Sequence, residues 1–109
     1  MSQDRYLDNF HERLQDAYGA FKGGCETTIQ STRMLEVVET ARTNGVERSD
    51  GQIVDAVHVY LKDGNEEIPE VVQKVAGKHK LVEVKREHRY GSDNIEYVSY
   101  IREELSVEE

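Results

Sequence analysis

The sequence predicts an α+β domain that is mostly helical: an N-terminal helix, a three-helix core and a C-terminal β-hairpin. Three observations predict it. Apolar residues recur at alternating spacings of three and four from Leu7 to Ala76, the breaks between these stripes fall on glycine-bearing steps, and from Leu81 onward the pattern changes to alternation.

The first helix is expected from about Asp4 to Lys22. Leu7, Phe10, Leu14, Tyr18 and Phe21 form one stripe, and Gly23-Gly24 ends it. Thr27-Thr28-Ile29-Gln30 is a capping-box pattern, in which a hydroxyl and an amide satisfy the free N–H groups of a new helix. That second helix is expected to continue through Met34, Val37, Val38 and Ala41 to Asn44-Gly45. Ser49-Asp50-Gly51-Gln52 looks like another capping box, followed by Ile53, Ala56, Val57, Tyr60 and Leu61 at helical spacing and by a stop at Asp63-Gly64. Ile68, Val71, Val72, Val75 and Ala76 give a short fourth helix, with Pro69 suited to its first turn and Gly77 to its end.

Leu81 to His88 alternates as a strand does. Ile95 to Ile101 is rich in β-branched and aromatic residues, and Tyr90-Gly91-Ser92-Asp93-Asn94 suits a hairpin loop between them. The whole chain, 1–109, is expected to be a single domain, divided into the helix of 4–24, a core of 27–102 and an acidic tail of 103–109.

A chain of 109 residues supports one core. Only 37% of residues are hydrophobic, with no Trp and two Phe, so part of the apolar surface is expected to be buried by self-association. No segment approaches the roughly 20 apolar residues of a membrane span. The opening residues Met1-Ser2-Gln3-Asp4-Arg5 lack a leader pattern, and Cys25 has no second cysteine to pair with, so a reduced, cytoplasmic setting is expected. His11, His58, His79 and His88 are scattered, with no metal-ligand spacing. Neither a Walker sequence nor a Gly-x-Gly-x-x-Gly loop occurs, and no acid, base and nucleophile converge. The expectation is a binding protein, not an enzyme, with no cofactor or metal.

Charge is unevenly distributed. The net charge is −8, yet Lys78 to Arg89 carries Lys78, Lys80, Lys85, Arg86 and Arg89 against Glu83 and Glu87, a local +3 that leaves −11 elsewhere. Clustered cations at a hairpin supply sequence-independent affinity for phosphates.

Short helices followed by a two-stranded hairpin resemble the winged helix-turn-helix DNA-binding proteins over about residues 33–102. The likeness is carried by Ile68 to Val84, similar to the passage from recognition helix to first wing strand, and by Asn94 to Ile101, similar to the returning strand. The resemblance implies a dimeric transcriptional regulator on double-stranded DNA. Lys74, Lys78 and Lys80 would meet the major groove, Lys85, Arg86, Arg89 and Tyr90 would act from the hairpin, and Leu7, Phe10, Leu14, Tyr18 and Phe21 would form a homodimer interface. The alternative is an acidic protein-interaction module that never touches DNA, favoured by Asp63, Glu66, Glu67 and Glu70 beside the expected recognition helix.

Overall fold

The computed structural model describes residues 14–106. Its elements run in the order α1 (14–21), α2 (Thr28–Val37), β1 (Val38–Glu47), β2 (Ile53–Leu61), α3 (Glu70–Lys78), β3 (Leu81–His88) and β4 (Ile95–Arg102), closed by a 3₁₀ turn at Glu103–Leu105. The strands form one antiparallel sheet in the order β1-β2-β4-β3. The expected mostly helical fold with a three-helix core is therefore overturned: the domain is α+β with helices on one face of a four-stranded sheet.

The starts of α2 and α3 and the second hairpin agree with the sequence pattern. Thr27 caps α2 by accepting a hydrogen bond from the Gln30 amide at 3.1 Å. Helix α3 starts just after Pro69 and turns Val72, Val75 and Ala76 inward. The loop between β3 and β4 closes with the Arg89 amide donating to the Asn94 carbonyl at 2.8 Å.

Two expected helical stretches are strands, each for an identifiable reason. Helix α2 stops at Val37, and Val38 begins β1 without a break. The register slips at Glu39, pairing Val38 with Leu61 and Thr40 with Tyr60, so Val38 and Ala41 both face the core although they lie three apart. A bulge has imitated helical spacing. Strand β2 lies between β1 and β4: Val57, Val59 and Leu61 point toward the helices, while Ala56, His58 and Tyr60 point away. Apolar residues on both faces defeat a period-two pattern and resemble a helix stripe. What looked like a capping box at Ser49 to Gln52 is the turn of the β1–β2 hairpin. There Gly51 takes φ +85°, Asp50 accepts from the Gln52 amide at 3.1 Å, and Arg48 grips Asp50 at 2.8 Å.

The core lies between the helices and one sheet face. Leu14, Ala17, Ala20 and Phe21 from α1, Met34 from α2, and Val72, Val75 and Ala76 from α3 pack with Val57, Val59, Leu61, Val98 and Tyr100. Phe21 is fully buried and stacks on Tyr100, with ring centroids 5.8 Å apart. Of the stripe expected at a dimer interface, Leu14 and Phe21 are thus buried inside their own chain and Tyr18 packs against the same core, whereas Leu7 and Phe10 lie outside the described residues. The start of the acidic tail is tied down, since Arg48 Nη1 donates to the Leu105 carbonyl at 2.6 Å. Among the described residues no helix is long and apolar enough to cross a membrane.

Candidate functional site

On the other sheet face Ala56, Ser99 and Ile101 are fully buried, and the open part lies around the exposed Arg42, Asn44 and Lys85 with the half-buried His58, Tyr60 and Tyr97. The central strands place His58 opposite Ser99 and Tyr60 opposite Tyr97, while β1 adds Arg42 beside His58 and Asn44 beside Ala56. On β3 the pairing runs Glu83 with Tyr100 and then Lys85 with Ser99, skipping Val84. Lys85 and Glu87 therefore share the open face with Val82, whereas Arg86, opposite Val98, joins Glu83 on the helix side. Strict alternation would place Arg86 with Val82 and Lys85 with Glu83, and the bulge reverses both.

Tyr60 and Tyr97 form the centre, with ring centroids 5.0 Å apart and planes tilted by 34°. The His58 ring meets Tyr97 edge-on at 5.9 Å. A cation covers each tyrosine: the Arg42 guanidinium lies 5.5 Å from the Tyr60 centroid and the Lys85 ammonium 5.7 Å from that of Tyr97. Beside them is a groove of about 410 Å³ bordered by Arg42, Asn44, His58, Tyr60, Lys85 and Tyr97.

His58 is held in place by its Nδ1, 2.6 Å from the hydroxyl of the fully buried Ser99. Burial, reinforced by the Lys85 charge, lowers its pKa below the ordinary 6.5, so the imidazole is neutral at pH 7. The hydrogen bond to the Tyr97 hydroxyl, aided by the Glu87 carboxylate, raises the Lys85 pKa above its ordinary value. Arg42 and Lys85 stand on this face with Glu87, and Glu39 and Glu96 sit at the bulges of β1 and β4. Ser99 is sealed from solvent, and its hydroxyl orients the His58 ring. Among the described residues no three His, Cys, Asp or Glu side chains come together as metal ligands would.

The structure disperses the residues expected to contact DNA. Lys74 is paired with Glu70 at 3.3 Å and Lys78 with Glu26. Lys80 stands exposed in the turn after α3 with a left-handed backbone, φ +55°. Arg86 is held bidentately by Glu83 at 2.9 and 3.0 Å. Arg89 donates to the Leu61 carbonyl at 2.9 Å and lies 3.6 Å from Asp63, which ties the second hairpin to the end of β2. Tyr90 is fully exposed at the hairpin tip. Of the seven, Lys85 alone reaches the aromatic face. Arg42, Asn44, His58, Tyr60, Tyr97 and Ser99 were not singled out as site residues by the pattern. The available signal was Asp50-Gly51, a strong hairpin turn, followed by His58 and Tyr60 two apart.

No family model, no curated protein and no solved structure matches this chain.

Proposed function

We propose that the chain is a single-stranded nucleic-acid-binding module that works through the open face of its sheet. The observation that carries this reading is the Tyr60–Tyr97 pair on the two central strands, with Arg42 and Lys85 beside it. Aromatic side chains on an exposed antiparallel sheet stack unpaired bases, and neighbouring cations follow the phosphates.

Magnitudes favour this arrangement. An exposed cation–π contact contributes about 0.5–1 kcal/mol, whereas a stacked base contributes roughly 1–3 kcal/mol. A base therefore displaces Lys85 or Arg42 from its ring, and the released cation meets a phosphate. The net charge does not oppose this strongly, because the Debye length is about 8 Å at physiological salt and screens carboxylates on the far side of the domain. Size argues for a single strand over a duplex. Four strands about 4.8 Å apart are wider, with their side chains, than a major groove of about 12 Å, which admits a helix or a two-stranded ribbon. The double-stranded DNA expected from the sequence is replaced in this reading by a single strand, and the contact surface moves from α3 and the hairpin tip to the sheet.

A second reading has its own support. Glu66, Glu67 and Asp93 border a groove beside His88 at the end of the sheet, a surface suited to a basic protein partner.

Fluorescence anisotropy with a labelled oligonucleotide of about 12 nucleotides in about 50 mM salt separates these readings. The expected result is micromolar binding of the single strand, at least tenfold tighter than of the same sequence as duplex. Equal or tighter duplex binding returns the contact to the hairpin. Absence of binding to either leaves the acidic surface as the functional one.

A further inference from the structure

We infer that a groove on the helix side of the sheet binds a small zwitterion, an α-amino acid with an apolar side chain. This groove lies opposite the aromatic face and stands independently of the nucleic-acid reading.

The groove has a volume of about 480 Å³, within the range of small-molecule sites, and runs between α3 and strands β3 and β4. Its lining has two characters. Ile68, Ala76 and Leu81 give apolar wall that is buried from solvent, and the Tyr100 ring adds to it. Burial, with help from the Glu83 charge, pushes the Tyr100 phenol up to about 12, so its hydroxyl remains protonated and able to donate. The polar lining carries charges of both signs. Arg86 uses Nε and Nη2 on Glu83, which leaves Nη1 without a hydrogen-bond partner among the described residues. Glu67 lines the same groove, near enough for its charge to favour the charged form of Arg86, and makes no salt bridge among the described residues.

A lone anion would face two carboxylates, and a lone cation would face Arg86. A zwitterion satisfies both. Its carboxylate meets Arg86 Nη1, its ammonium lies toward Glu67 and Glu83, and its side chain covers the apolar wall. Gly77, in the last turn of α3, borders the groove, and a Cβ there would meet no atom within 4 Å, so the groove is open on that side.

The experiment is isothermal titration of the full chain with L-leucine, with butylamine and with 4-methylpentanoate, backed by amide chemical shifts. Leucine is expected to saturate with Kd of about 1 mM or tighter, and the amine and the acid to bind at least tenfold more weakly. Arg86→Gln and Gly77→Leu should each weaken leucine binding at least tenfold while circular dichroism stays unchanged. If Gly77→Leu fails to fold, leucine-induced shifts at the Gln73 and Gly77 amides, lost in Arg86→Gln, serve as support. Leucine that does not saturate at about 10 mM, an amine that binds as well as leucine, or shifts that spare α3 would each overturn the site.

Discussion

Replacing Tyr97 with alanine, alone and together with Tyr60, probes the sheet platform most directly. Each ring offers a stacking surface to one base, worth roughly 1–3 kcal/mol by alanine substitution. Lys85 occupies the Tyr97 face in the free protein, and its displacement takes back part of that gain, so about 1–2 kcal/mol is expected for Tyr97→Ala, a loss of about 5- to 30-fold in single-strand affinity. The two rings touch at 5.0 Å, and aromatic pairs of this kind couple by about 0.5–1.5 kcal/mol. The Tyr60→Ala/Tyr97→Ala double variant should therefore lose about 2–3 kcal/mol, or 30- to 150-fold, less than the product of the single losses. Tyr97→Phe keeps the ring and removes the hydroxyl held by Lys85, so it should retain most of the affinity. The assay is anisotropy at fixed salt, with circular dichroism and thermal melts to confirm that each variant is folded. A folded double variant that binds within threefold of wild type would refute the stacking mechanism.

Three further predictions follow from the same geometry. Arg42→Gln and Lys85→Gln should each reduce the slope of log K against log salt by about 0.7 in single-strand titrations, one phosphate contact apiece; an unchanged slope would remove that cation from the interface. His58 has a folded pKa below the ordinary 6.5, so its contribution to stability is complete above pH 6.5 and is lost as pH falls through 6.5 toward the folded value. His58→Gln should flatten the acid side of a plot of Tm against pH; equal slopes in both proteins would contradict the burial of this ring. Phe21→Ala removes a fully buried ring stacked on Tyr100 and should cost about 3–5 kcal/mol, a large part of a typical domain's 5–15, measured by urea denaturation. A loss below about 1 kcal/mol would mean that α1 stabilises something other than this core.

Local chemistry made several elements legible in the sequence. The Thr27 cap, Pro69 at the entry to α3 and the glycine-bearing loop before β4 act over a few residues, and their hydrogen bonds form wherever those residues meet. The second hairpin was legible because its edge strand faces solvent along much of its length and keeps alternation up to the bulge at Val84. Strand β2 was hidden by its central position. Its neighbours cover both edges and the helices cover one face, so its residues carry no polar row to reveal the period. The candidate site shared that fate, because Tyr60 and Tyr97 are 37 positions apart in sequence and become neighbours only through the β2–β4 pairing.

The sequence by itself determined where α2 and α3 begin, where the second hairpin turns, and that Leu14, Phe21, Val72, Val75 and Val98 have apolar side chains in need of a core. Tertiary structure alone decided that 38–47 and 53–61 are strands, since backbone groups of a central strand are satisfied by partners distant in sequence. It also decided where the cations go. A one-residue slip at Val84 sends Lys85 to the aromatic face and Arg86 to the groove beneath α3, a division set by register, which no count of charges along the chain contains.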